Sequence, residues 1–246
     1  MKYVMDLHTH TLASGHGYST LAENIEKAKE VGLKVLGYSE HAPSMPGGPH
    51  PFYVGNLKVI PRKYGDLRLL CGIEANIMDK DGTIDVSEQV IRSALDYVIA
   101  SLHVPCIAPG TTEENTQTLL NVMKNPYVKI IGHPDDSRYP LDYEMLVPAA
   151  KENGVVLEVN NTSIHPKSVR KGARENILKM LSLCKQYECP VILGTDSHVC
   201  HQVGDFSRAQ ELLELAGFPD ELVMNTKVEN LKKIVYDQDI LEDILG

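Results

Sequence analysis

Met5-Asp6-Leu7-His8-Thr9-His10 closes an apolar run that begins at Tyr3, and it sets two histidines two residues apart. A strand alternates its side chains, so residues two apart share a face. His8 and His10 would then present two imidazoles together, close enough to bind one divalent ion. A first strand that ends in paired metal-ligand side chains predicts both a fold and a chemistry.

Working outward, further apolar runs read as strands at Val35–Ser39, Arg68–Glu74, Tyr97–Ser101, Lys129–Gly132, Val155–Asn160 and Val191–Gly194. Amphipathic stretches separate them. Thr20–Val31 carries Leu21, Ile25 and Ala28 at helical spacing and stops at Gly32. Thr112–Met123, Tyr143–Asn153, Arg174–Tyr187, Phe206–Leu215 and Val228–Tyr236 read the same way. Alternation of strand and helix implies a parallel sheet. About seven such units without a linker favour a closed βα barrel, a size class that suits 246 residues in one domain, 1–246. The segment Ala42–Asn56 is rich in Pro and Gly and reads as a long functional loop.

The strand ends form the pattern. The first leads to His8 and His10, with His16 in the following loop; the second ends Ser39-Glu40-His41 and the third Gly72-Ile73-Glu74. The fourth ends Ser101-Leu102-His103, the fifth Gly132-His133-Pro134 and the seventh Gly194-Thr195-Asp196-Ser197-His198. A lone strand-end histidine is ordinarily a satisfied polar residue. Six strands ending in metal-ligand types point to one shared site, because the carboxyl ends of barrel strands converge on one face.

Composition narrows the partners. A net charge of −9 argues against a nucleic-acid surface built on bulk positive charge. The five cysteines form no CxxC pair, which suits buried thiols in a reducing cytoplasm. No apolar run approaches a membrane span, and Asp6 and His8 interrupt any signal-peptide core. The expectation is a cytoplasmic protein with no membrane and no stable nucleic-acid partner; oligomeric state stays open.

These motifs, from His8-Thr9-His10 to Gly194-Thr195-Asp196-Ser197-His198, resemble those of the PHP (polymerase and histidinol phosphatase) superfamily over nearly the whole chain. Gly72–Asp85, Glu158–Ser163 and Pro49-His50 are most similar to its YcdX-like single-domain phosphatases. The resemblance implies an α/β fold, a distorted TIM-like (β/α)7 barrel with a trinuclear metal site at the C-terminal ends of the strands. One ion would be held by His8, His10, Glu74 and Asp196. A second would be held by Glu74, His103 and His133, with Glu74 bridging, and a third by His16, His41 and His198. Asp135-Asp136 stands after His133-Pro134 where relatives often have Gly, adding acidity there.

Imidazole and carboxylate donors without thiolate suit zinc, with manganese and iron as alternatives. Three divalent ions against two carboxylates leave a pocket charge of about +4, a means for an acidic chain to attract phosphate. A bridging carboxylate sets two ions about 3.5–4 Å apart, the spacing of two-metal hydrolases. The expected activity is phosphate monoester hydrolysis by a metal-bridging hydroxide, with Glu74, Asp196 and His198 as the catalytic candidates. Histidinol phosphate or a nucleic-acid end are alternative substrates for the same site, and a non-catalytic regulatory metalloprotein is the contrasting class. Substrate contacts are sought at His50, Arg138, Lys167, Arg170 and Lys171, each with a solvated surface residue as the alternative reading. Asn160 and Asn161 could orient substrate or the basic loop. Ser39, Ser101 and Ser197 could donate to phosphate or simply satisfy packing.

Overall fold

A computed structural model describes residues 1–245. Seven parallel strands run β1 (Met5–Asp6), β2 (Val35–His41), β4 (Leu67–Asn76), β5 (Tyr97–Ser101), β6 (Val128–Ile131), β7 (Val156–Asn160) and β8 (Val191–Gly194), paired in that order. A short β3 (Lys63–Tyr64) forms an antiparallel hairpin with β4 and lies off this path. The helices are α1 (Leu21–Glu30), α2 (Pro51–Gly55), α3 (Glu88–Ala94), α4 (Thr112–Val122), α5 (Tyr143–Asn153), α6 (Ala173–Gln186), α7 (Ser207–Ala216) and α8 (Gln238–Leu245). This is the expected TIM-like (β/α)7 barrel. No helix of the described residues is long and apolar enough to cross a membrane.

The period of two sorts each strand into an inner and an outer face. Met5, Val35, Leu70, Tyr97, Ile130, Val156 and Ile192 fill the barrel's lower interior. Their neighbours Leu36, Leu69, Val98, Ile131, Leu157 and Val191 face the helices. Further up the barrel interior, side chains shrink. Tyr97 lies across the interior and donates its hydroxyl to the Leu7 carbonyl at 2.6 Å. A Cβ on Gly72 would stand 2.3 Å from the Tyr97 ring, and one on Gly37 2.3 Å from its hydroxyl, so both positions demand glycine. Two residues above Gly72 on the same face comes Glu74.

β1 and β8 are not joined by a regular ladder. Beyond one bridge at Thr9 and Ser197, side chains close the seam. Asn225 accepts from the Leu193 amide at 2.7 Å and donates to the carbonyls of Met5 and Leu193, both at 2.9 Å. Asp6 accepts from the Thr195 hydroxyl at 2.6 Å and the Gly204 amide at 3.0 Å.

The strand expectations hold to within a few residues. Several elements differ, including β3 and α8, which lie outside the expected strands and helices. β1 is shorter than Tyr3–Leu7, because its ladder with β2 covers only Met5 and Asp6. Val228–Lys233 is a 3-10 helix rather than an α-helix to Tyr236; Val228, Leu231 and Ile234, three apart, suit its three-residue turn. α3 lies outside the expected helices, since only Ile91 and Ala94 are buried along it and two positions set no period. The loop after β2 is not structureless: Pro51 opens α2 at its first helical position.

Candidate metal centre

All nine residues expected to bind metal converge at the carboxyl ends of the strands. Glu74, on the inner face of β4, is fully buried at the centre. His8 Nε2 lies 3.4 Å from its Oε1 and His10 Nε2 lies 3.5 Å from its Oε2, so the opening pair straddles one carboxylate. His103 and His133 reach Oε1 at 3.2 and 2.9 Å, and His41 Nδ1 lies 2.7 Å from Oε2. Asp196 Oδ1 stands 3.2 Å from His10 Nε2. On the far side, His16 Nε2 faces His41 Nε2 at 3.2 Å, and the His16 and His198 rings stack at 4.6 Å.

These separations fit ligands around ions. Tetrahedral coordination at about 2.0–2.1 Å puts donor atoms about 3.3 Å apart. Buried ring nitrogens of His8, His10, His41 and His198, with Glu74 Oε2, have no hydrogen-bond partner among the described residues. Buried polar atoms are rarely left so, and divalent ions would satisfy them together. Three groups bring their donor atoms within 4.8 Å of one another: His10, His41 and His198; His8, His10 and Glu74; His41, Glu74 and His103. His41 therefore sits between the Glu74 side and the His16 side rather than on the latter alone.

Electrostatics sort the imidazoles. Burial, reinforced by His41 and His198, holds His10 well below the usual histidine range. Burial takes His103 down to about 4, against the pull of Glu74, and lowers His16 as well. These rings carry free lone pairs at neutral pH, as ligation requires. For His8, burial is outweighed by Glu158, Glu74 and Asp196, which raise it well above the ordinary value. Burial would raise Glu74 and Asp196, yet both stay well below the carboxylate range. His103 and His8 achieve this for Glu74, and Arg170 and His8 for Asp196.

A layer of partners orients the ligands. His10 Nδ1 meets Ser14 Oγ at 3.0 Å, and Ser14 donates onward to Glu40. His103 Nδ1 meets Asn76 Oδ1 at 2.7 Å, and Asn76 donates to Asp85 at 2.7 Å. His8 Nδ1 meets Glu158 Oε1 at 2.7 Å. The roles of Ser14, Asn76 and Glu158 were not read from the sequence. Glu158 did leave a signal: a single carboxylate at an inward position of the apolar run Val155–Val159.

The substrate candidates fare differently. Arg170 reaches the centre, but it is committed: it donates to Asp196 Oδ2 at 2.9 Å, Asn160 Oδ1 at 3.2 Å and Ser163 Oγ at 3.1 Å. Arg138 pairs with its neighbour Asp136. His50 caps α2 through the Phe52 amide and stacks on Phe52. Lys167 and Lys171 are exposed. Asn161 accepts from the amides of Arg208 and Ala209, capping α7 rather than facing a ligand. Ser39 is spent on the Thr9 amide, whereas Ser101 and Ser197 keep buried hydroxyls without partners among the described residues. Asp135 is buried beside His133, its carboxyl pushed up to about 6 by burial against the pull of Arg170.

The PHP domain family matches residues 6–162. The chain belongs to the PHP family. A chain of Clostridium novyi named a probable phosphatase is 48% identical over 245 residues, covering 100% of this chain and 99% of its own length. Another of that name from Caldanaerobacter subterraneus subsp. tengcongensis is 45% identical, covering 97% and 93%. Among solved structures, histidinol phosphate phosphatase of Lactococcus lactis, complexed with zinc, L-histidinol and phosphate, superposes with a TM-score of 0.62. It does so at 19% identity over 88% of this chain and 95% of its own, a likeness of fold.

Proposed function

We propose that this chain, a phosphatase of the PHP family, hydrolyses small phosphate monoesters at a centre of three divalent ions, zinc first among them. The observation that carries this reading is the ring of imidazole nitrogens spaced around Glu74 as ligands are, those of His8, His10 and His41 buried without a hydrogen-bond partner among the described residues. Glu74 would bridge two ions, with His8, His10 and Asp196 on one side and His103 and His133 on the other. His16, His41 and His198 would hold the third. Divalent ions held there supply Lewis acidity and water activated near neutral pH.

The protein's own residues do the rest. Asn160 and Arg170 hold Asp196 so that Oδ1 faces the cluster. The free hydroxyls of Ser101 and Ser197 are available to donate to phosphate oxygens. Asp135, its carboxyl pushed up to about 6 by burial, takes a proton beside His133 more readily than an ordinary carboxylate does. Lys167 and Lys171 stand in the loop before α6 and are open to a second anionic group of a substrate.

The test is an assay of p-nitrophenyl phosphate, histidinol phosphate and single-stranded oligonucleotides, with and without chelator. Chelator-sensitive release of phosphate from the monoesters is expected, and Glu74→Ala should abolish it together with part of the metal content. Inactivity on all three substrates in metal-loaded protein would instead favour a regulatory metalloprotein.

A further inference from the structure

Glu158 uses both of its oxygens on two different metal-ligand loops. It lies on the inner face of β7 and is 1% exposed. Oε1 stands 2.7 Å from His8 Nδ1, in the loop after β1. Oε2 accepts the backbone amide of His133, after β6, at 2.7 Å, and the Asn160 carboxamide at 3.0 Å. A carboxylate 2.7 Å from Nδ1 keeps the proton on that nitrogen and leaves Nε2 to turn toward Glu74.

The backbone at His133 gives the second contact its meaning. His133 has φ +31°, a left-handed conformation that costs a non-glycine residue energy unless its surroundings hold it. The Glu158 carboxylate on its amide and the Asp135 amide on its carbonyl, at 2.7 Å, hold it from both sides. The space Glu158 occupies is also reserved. A Cβ on Gly194 of β8 would stand 1.7 Å from Oε1, so glycine is required there.

We infer that Glu158 is a positioning residue of the metal centre, fixing the tautomer of His8 and the left-handed turn of His133 with one carboxylate. The inference rests on the metal-centre reading above. It explains why a carboxylate, and not a carboxamide, sits at this point. Three donors converge on it, and a carboxylate offers acceptor sites on both oxygens. Glutamine would offer one acceptor oxygen and turn an NH2 toward either His8 or His133.

The test compares zinc affinity by chelator competition in wild type, E158Q, H8A and the double variant, with the fold of the metal-free proteins checked by circular dichroism. E158Q should weaken zinc binding about 10–100-fold while keeping the folded spectrum. In the H8A background its effect should shrink to the part carried through His133. Wild type that takes up no zinc overturns both the centre and the inference. Wild type that loads normally, with E158Q of unchanged affinity or with additive effects of E158Q and H8A, overturns the inference alone. Zinc-loaded wild type offers a check free of folding defects. Its His8 should show a protected, strongly hydrogen-bonded Nδ1 proton by nitrogen–proton NMR; metal on Nδ1 would overturn the assignment.

Discussion

Arg170 donates to Oδ2 of Asp196 at 2.9 Å, and Oδ1 of the same carboxylate stands 3.2 Å from His10 Nε2. The basic residue that the sequence offered for substrate is instead the counter-ion of a metal-ligand candidate. Its side chain is 15% exposed and that of Asp196 4%, so water screens the pair little.

Replacing Arg170 with Met leaves Asp196 buried with Asn160 as its remaining partner on Oδ2. Breaking a buried pair in this way costs about 3–5 kcal/mol. The loss should be larger in metal-free than in zinc-loaded protein, where ions neutralise the carboxylate. Urea unfolding with and without zinc measures it, and equal losses would contradict the pairing. Arg170→Lys should not restore stability, because one ammonium cannot reach Asp196, Asn160 and Ser163 in the same geometry.

Asn225 should behave as a seam residue. Asn225→Ala strands the Leu193 amide and the carbonyls of Met5 and Leu193, each buried group costing about 1–3 kcal/mol. A loss of at least about 2 kcal/mol is expected, with faster hydrogen exchange at the Leu193 amide. Unchanged exchange there would show that the seam is held otherwise.

Asp96 carries a pH dependence far from the centre. Burial raises its carboxyl to about 6, although Arg62 and the Cys71 amide pull it down. An acid raised on folding binds its proton more tightly in the folded state. Its contribution to stability is therefore most favourable below the unfolded value of 3.8 and declines as pH rises through about 6. Asp96→Asn should flatten that decline, so the variant gains on wild type between pH 4 and 6. A stability difference independent of pH would refute it.

Metal removal should act on stability as well as activity. Zinc at a thousand times its dissociation constant stabilises by about 4 kcal/mol per site. Chelation should therefore lower the unfolding midpoint, and re-addition of zinc or manganese should restore it. Because His8 is held protonated above the usual range, zinc must displace its proton, and affinity should weaken as pH is lowered. Isothermal titration in buffers of different ionisation heat counts the protons released; none released would contradict the charge on His8.

The barrel and the ligand candidates were legible in the amino-acid sequence. Both follow from local rules: a period of two in the strands, helical spacing between them, and ligand-type residues at each strand's carboxyl end, from His8 to His198. Those rules say which face a residue takes and at which end it lies. They are silent on partners distant in the chain. It takes the folded barrel to show that Arg170 belongs to Asp196, that Asn161 caps α7, and that Glu158 serves His8, 150 residues away. The folded barrel alone shows the seam closed by Asn225 rather than by a strand ladder. The physical reason is common to all four: a hydrogen bond is settled by distance and direction between atoms, and closing the barrel is what brings those atoms together.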